Sequence, residues 1–156
     1  MDHLTRQKIF LEATWWAITA FVVFLILFPI LKNTPYYPFQ WSNIIFIVAF
    51  ITLARYIFLF KYTFLQKYQY FKIILIFLCI PLIFNLVNNL NYFIAVTDES
   101  AYYFLDGNLS QSQRNKMGLF IRTEMLFFGV GSVLATIIFP FKLLRSIWRY
   151  RNKGIG

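Results

Sequence analysis

Four stretches of the chain, 9–31, 42–60, 73–94 and 119–144, are almost unbroken runs of apolar residues, and polar and turn-forming residues collect between them. A helix rises about 1.5 Å per residue, so roughly 20 apolar residues cross the 30 Å hydrocarbon core of a bilayer. Each run is long enough, and the pattern predicts an all-α, polytopic integral membrane protein of four transmembrane helices arranged as two antiparallel hairpins. Little chain is left over, so residues 1–156 are expected to form a single transmembrane domain with external loops at 32–41 and 97–118 and a tail at 145–156. The first run is longer than the 7–15 residues of a signal-peptide core and has no small-residue cleavage site after it, so it reads as a retained helix.

The connections carry their own signals. Asn33, Pro35 and Pro38 turn the chain between the first two helices and stop either from continuing. In the longer loop, Asp98 and Glu99 are expected to start a short helix running to Leu105, which Asp106 and Gly107 end in a turn. Ser110 and Gln113 have the spacing of a capping box, so the fourth helix is expected to begin outside the membrane and run into it.

Composition fits this picture: 60% of residues are hydrophobic, 22% aromatic and only 13% charged, where soluble domains carry about a quarter. The net charge is +9, yet the basic residues punctuate apolar runs instead of covering a face, so no nucleic-acid partner is expected. Lys and Arg collect on the cytoplasmic side of membrane proteins. Arg6, Lys8, Lys61, Lys67, Lys72, Lys142, Arg145, Arg149, Arg151 and Lys153 fall on one side, against Lys32, Arg114, Lys116 and Arg122 on the other. Both termini are therefore expected in the cytoplasm, and short loops with this charge bias point to a bacterial inner membrane. The single cysteine, Cys79, lies within an apolar run, and the single histidine is His3, so neither a disulfide nor a metal or haem site is expected, and no cofactor.

Ionisable and amide groups inside spans call for an explanation, because each is costly in hydrocarbon. Glu12 and Arg55 lie at nearly the same depth if the first two helices run antiparallel, and an ion pair between them is expected, with Trp15, Trp16 and Thr19 on the Glu12 face. The competing readings have Arg55 reaching alone to the interface, or serving in gating or substrate binding. Asn85, Asn88 and Asn89 repeat at helical spacing on the third span, and Glu124 lies at similar depth on the fourth. These four are expected to gather into a polar cluster, as interhelical hydrogen-bond glue, as an outward-facing site for a cation, proton or small polar ligand, or as a contact site for a partner subunit. Gly131 and Ala135, four residues apart, form a small-residue stripe on which a neighbouring helix can pack closely. Pro81 is expected to kink the third helix. Lys142, Arg145, Arg149, Arg151 and Lys153, interleaved with Trp148 and Tyr150, read as a charge-biased flank that can also meet lipid headgroups or an acidic partner.

Three functional classes follow. An enzyme needs a nucleophile, a metal or a positioned acid–base pair, and the loop carboxylates Asp98, Glu99 and Asp106 are the only candidates, for a lipid-modifying reaction. A small oligomeric transporter or channel has the Asn/Glu cluster in its favour but lacks a polar stripe through the first two spans. The class that asks least of the sequence is an accessory or scaffolding subunit of a larger membrane assembly, without enzymatic activity, whose partners are the lipid bilayer and either another membrane protein or a second copy of the chain.

Overall fold

A computed structural model describes residues 3–63, 65, 68–100 and 102–152. It is all-helical: α1 spans His3–Lys32, α2 Gln40–Phe58, α3 Gln69–Ser100 and α4 Gln111–Asn152, with one 3-10 turn at Phe60–Tyr62 after α2. Each of the four helices is long and apolar enough to cross a membrane, so the chain has the makings of a multi-pass membrane protein.

Local chemistry sets the helix ends. At the end of α1, Asn33 Nδ2 donates to the Pro29 carbonyl (2.7 Å) and Thr34 Oγ1 to that of Ile30 (2.6 Å). Two of the carbonyls that a helix terminus leaves without partners are thereby satisfied before Pro35 diverts the chain. The start of α4 is a reciprocal capping box: Gln113 N donates to Ser110 Oγ (3.3 Å) and Ser110 N to Gln113 Oε1 (3.0 Å). With 42 residues, α4 is about 63 Å long and outruns any bilayer. Its C-terminal turns carry Lys142, Arg145, Arg149 and Arg151, all exposed, so most of the expected tail is helix; Lys153, like Lys67, lies outside the described residues.

The loop between α3 and α4 differs from the sequence expectation. No new helix starts at Asp98; α3 runs on through Asp98 and Glu99 to Ser100, and the chain breaks at Tyr102, which adopts a left-handed φ of 59°. The reason is local: no Gly or Pro stands between Ile94 and Ser100, and Thr97 Oγ1 bonds back to the Phe93 carbonyl (2.8 Å), so nothing interrupts the ladder. After the break, Asn108 N donates to Asp106 Oδ1 in an Asx turn (3.0 Å), and Asp106 N reaches the Asn33 carbonyl of the other loop (3.1 Å). Pro81 lies within a helix assigned without interruption.

The packing centres on α4, which lies along both α2 and α3, whereas α1 leans on α2 and α2 scarcely meets α3. Toward the end bearing the 33–39 and 102–110 loops, Ile30, Phe39, Phe46, Leu86, Phe93, Ile121 and Met125 make one core cluster. Phe39 and Phe104 cap it as a ring cluster, with centroids 5.9 Å apart, and Phe93 meets Phe39 edge-on at 5.1 Å. Toward the other end, Leu53, Phe60, Cys79, Ala135, Phe139 and Leu143 make a second cluster. Close approach along α4 uses two glycines. A Cβ at Gly131 would lie 2.8 Å from the Phe50 ring of α2, and one at Gly129 would lie 2.7 Å from Leu90 Cδ1 of α3. Ala135 is buried in the same stripe.

Candidate functional site

Two sets of polar side chains are enclosed by the helices, and a third faces outward. The first set joins α2, α4 and the α1–α2 loop. Asn43, one turn into α2, has no exposed surface; its Nδ2 donates to Glu124 Oε1 of α4 at 2.5 Å and to Tyr37 Oη at 3.2 Å. Asn43 Oδ1 and Glu124 Oε2 are buried without a hydrogen-bond partner. Burial raises the pKa of the Tyr37 phenol, so Tyr37 is held neutral. The level of this set is otherwise solid: Phe46, Leu86, Ile121 and Met125 are fully enclosed around it.

This arrangement corrects the expected cluster of Asn85, Asn88, Asn89 and Glu124. No hydrogen bond joins Glu124 to any of the three asparagines. Asn89 accepts from Ser42 Oγ of α2 (2.9 Å) and donates to the Asn85 carbonyl (2.8 Å), while Asn85 and Asn88 are exposed. The cause is the phase of α3. Leu86, Leu90 and Phe93 occupy its inward face, with Leu90 against Gly129 of α4. Asn88 is two residues from both leucines, about 200° around the helix, and so points away. Asn43 is the partner that sequence reasoning missed. The polar pair Ser42-Asn43 at the head of the second span was its visible signal.

The second set lies toward the opposite end. Arg55 Nη2 of α2 is 2.5 Å from Glu12 Oε1 of α1, with the Arg55 side chain 4% and that of Glu12 19% exposed. The approach is an ion pair and not a well-directed hydrogen bond, since Nη2 and Nε have no hydrogen-bond acceptor. The guanidinium also lies 5.8 Å from the Trp15 ring centroid and 5.3 Å from that of Tyr56. Thr19 is buried on this side of α1, whereas Trp16, expected there, is exposed. Glu12, Tyr56, Leu65, Tyr68 and Phe71 line a groove of about 430 Å³ beside the pair. Nearby, Lys72 has no exposed surface, donates to Ser146 Oγ of α4 (3.0 Å) and to Gln69 Oε1 (3.1 Å), and lies over the Phe60 ring.

Among the described residues no three His, Cys, Asp or Glu side chains group as a metal site would require. The loop carboxylates do not converge. Asp98 pairs with Arg122 at 3.0 Å on the surface, and Asp106 caps its own turn. Beside Arg122, the Tyr102 phenol is raised by burial and lowered by the guanidinium.

The outward-facing set is the asparagine row of α3. Asn85 lies thirteen residues from both Lys72 and Asp98, about 20 Å along the helix from either charge, and so midway between them. Asn88 and Asn91 follow at successive turns, exposed and without a hydrogen bond to any described residue. Compared with family models, with characterised proteins and with solved structures, the chain matches none.

Proposed function

We propose that this chain is a non-catalytic accessory or scaffolding subunit of a larger membrane assembly, joined to its neighbours inside the bilayer through α3. The observation that carries the reading is the pair Asn88 and Asn91, exposed just beyond the midpoint of a membrane-length helix and without a hydrogen bond to any described residue. An amide that faces hydrocarbon without a partner is costly, and a neighbouring helix that hydrogen-bonds to it removes that cost. The enclosed polar sets serve the fold in this reading: Asn43–Glu124 ties α2 to α4, and Glu12–Arg55 ties α1 to α2. Solid packing around Glu124 favours this role over a solute pathway.

The layout proposed with it is two antiparallel hairpins, α1–α2 and α3–α4, with both termini cytoplasmic in a bacterial inner membrane. The Lys/Arg bias supports that orientation. The exposed basic residues Lys142, Arg145, Arg149 and Arg151 then sit at the inner headgroups, where each attracts anionic lipid by about 1 kcal/mol.

The test is a photo-crosslinking amino acid placed at Asn88, and as a control at Phe127 on the exposed side of α4, in native membranes. The proposal expects a discrete protein adduct from position 88 and none from 127. Lipid adducts alone at both positions contradict it.

A further inference from the structure

We propose that the exposed face of α3 pairs with α3 of a second copy of this chain, as a parallel two-stranded contact in which Asn88 meets its own counterpart. The inference rests on the reading of the chain as a subunit assembled within the bilayer and names one of its neighbours.

The argument begins with spacing. Phe77, Pro81, Phe84, Asn88, Asn91 and Ala95 are all exposed and succeed one another at intervals of four, three, four, three and four residues. That alternation is the seam along which two helices supercoil. Copies of one chain inserted in the same direction present α3 in parallel, related by a two-fold axis along the membrane normal, so the contact is isologous. In a parallel pair, residues seven apart face their own copies across the seam. Pro81, Asn88 and Ala95 form that series, which brings Asn88 to Asn88 near mid-membrane, flanked by the small side chain of Ala95 on one side and Pro81 on the other.

The chemistry of the seam selects a second copy over a different partner. A primary amide carries both donors and an acceptor, so two identical asparagines satisfy one another. No acid or base lies between Phe77 and Ala95 on the seam, so nothing repels an identical helix and nothing asks for an opposite charge. Polar residues at such positions also fix register, because a shift of one heptad sets Asn88 against Pro81 or Ala95 and leaves its amide unsatisfied.

The experiment uses the full chain in two ways. In native membranes with Cys79, the single cysteine, replaced by alanine, cysteines placed singly at Phe84, Asn88 and Asn91 are oxidised, with Phe127 and Ile137 on α4 as controls. Disulfide-linked homodimers are expected from the α3 positions and not from α4. In liposomes, energy transfer between labelled copies is followed on dilution with lipid. Asn88→Leu is expected to weaken self-association about tenfold, the scale of an interhelical hydrogen bond in a bilayer, while Asn88→Gln keeps most of it. Asn88 is exposed in the single chain, so helix content is expected to stay unchanged in both variants. Self-association insensitive to Asn88→Leu, or cross-linking as strong from Phe127 as from Asn88, overturns the inference. A different protein captured at Asn88 with no homodimer also overturns it, yet leaves the subunit reading standing. Lipid adducts alone from the photo-crosslinker at Asn88, without a homodimer here, remove both.

Discussion

Asn43 is fully enclosed with Oδ1 unpaired, and Glu124, its partner through Nδ2, is left with Oε2 unpaired. Glutamine at 124 keeps an acceptor for Asn43 Nδ2 and adds donors in the position of the unpaired oxygen. Thermal unfolding in detergent is therefore expected to place Glu124→Gln within about 1 kcal/mol of the parent, while Glu124→Leu, which strands Asn43, loses about 1–3 kcal/mol. At the other end, Glu12→Gln and Arg55→Leu are expected to couple by about 0.5–3 kcal/mol in a double-mutant cycle, and additive effects would contradict the pairing. The two enclosed sets were not equally legible in the sequence. Glu12 and Arg55 follow from depth alone, since the Asn33–Pro38 connection is too short to let α1 and α2 slide far past one another. Glu124 does not: helical phase ranks the faces of one helix but not which neighbour each face meets, and the nearest asparagines in sequence pattern were not those nearest in space.

The same limit operates on whole elements. Membrane-length apolar runs are readable because the bilayer dictates their length, and the Ser110/Gln113 box is readable because its two hydrogen bonds are local. The end of α3 was not, because Asp98 and Glu99 favour a helix start only where the preceding helix has stopped, and α3 continues through both to Ser100. The central place of α4 was foreshadowed by its small residues. Gly131 admits the Phe50 ring of α2, and Gly131→Leu is expected to force the two helices apart, costing about 1–3 kcal/mol in detergent unfolding. On the exposed side of the same helix, Ile137→Leu is expected to be neutral.

At the scale of the molecule, two loops that bond to each other through Asp106 N and the Asn33 carbonyl mark one end, and the Glu12–Arg55 pair and Lys72–Ser146 bond lie toward the other. In the proposed topology the charge bias puts the first end outside and the second in the cytoplasm. In intact cells a membrane-impermeant maleimide is expected to label Asn108→Cys but to reach Arg149→Cys only after permeabilisation; the opposite pattern reverses the proposed topology. In the proposed reading a neighbour meets this chain through its helix faces, and the face of α3 that exposes Asn88 and Asn91 is the one that hydrocarbon would solvate worst. The most direct measurement is mild-detergent affinity purification from native membranes followed by native mass spectrometry. The account predicts a stoichiometric complex, with a second copy or with another membrane protein, that Asn88→Leu weakens. A monodisperse monomer that carries only lipid, in parent and variant alike, would contradict it.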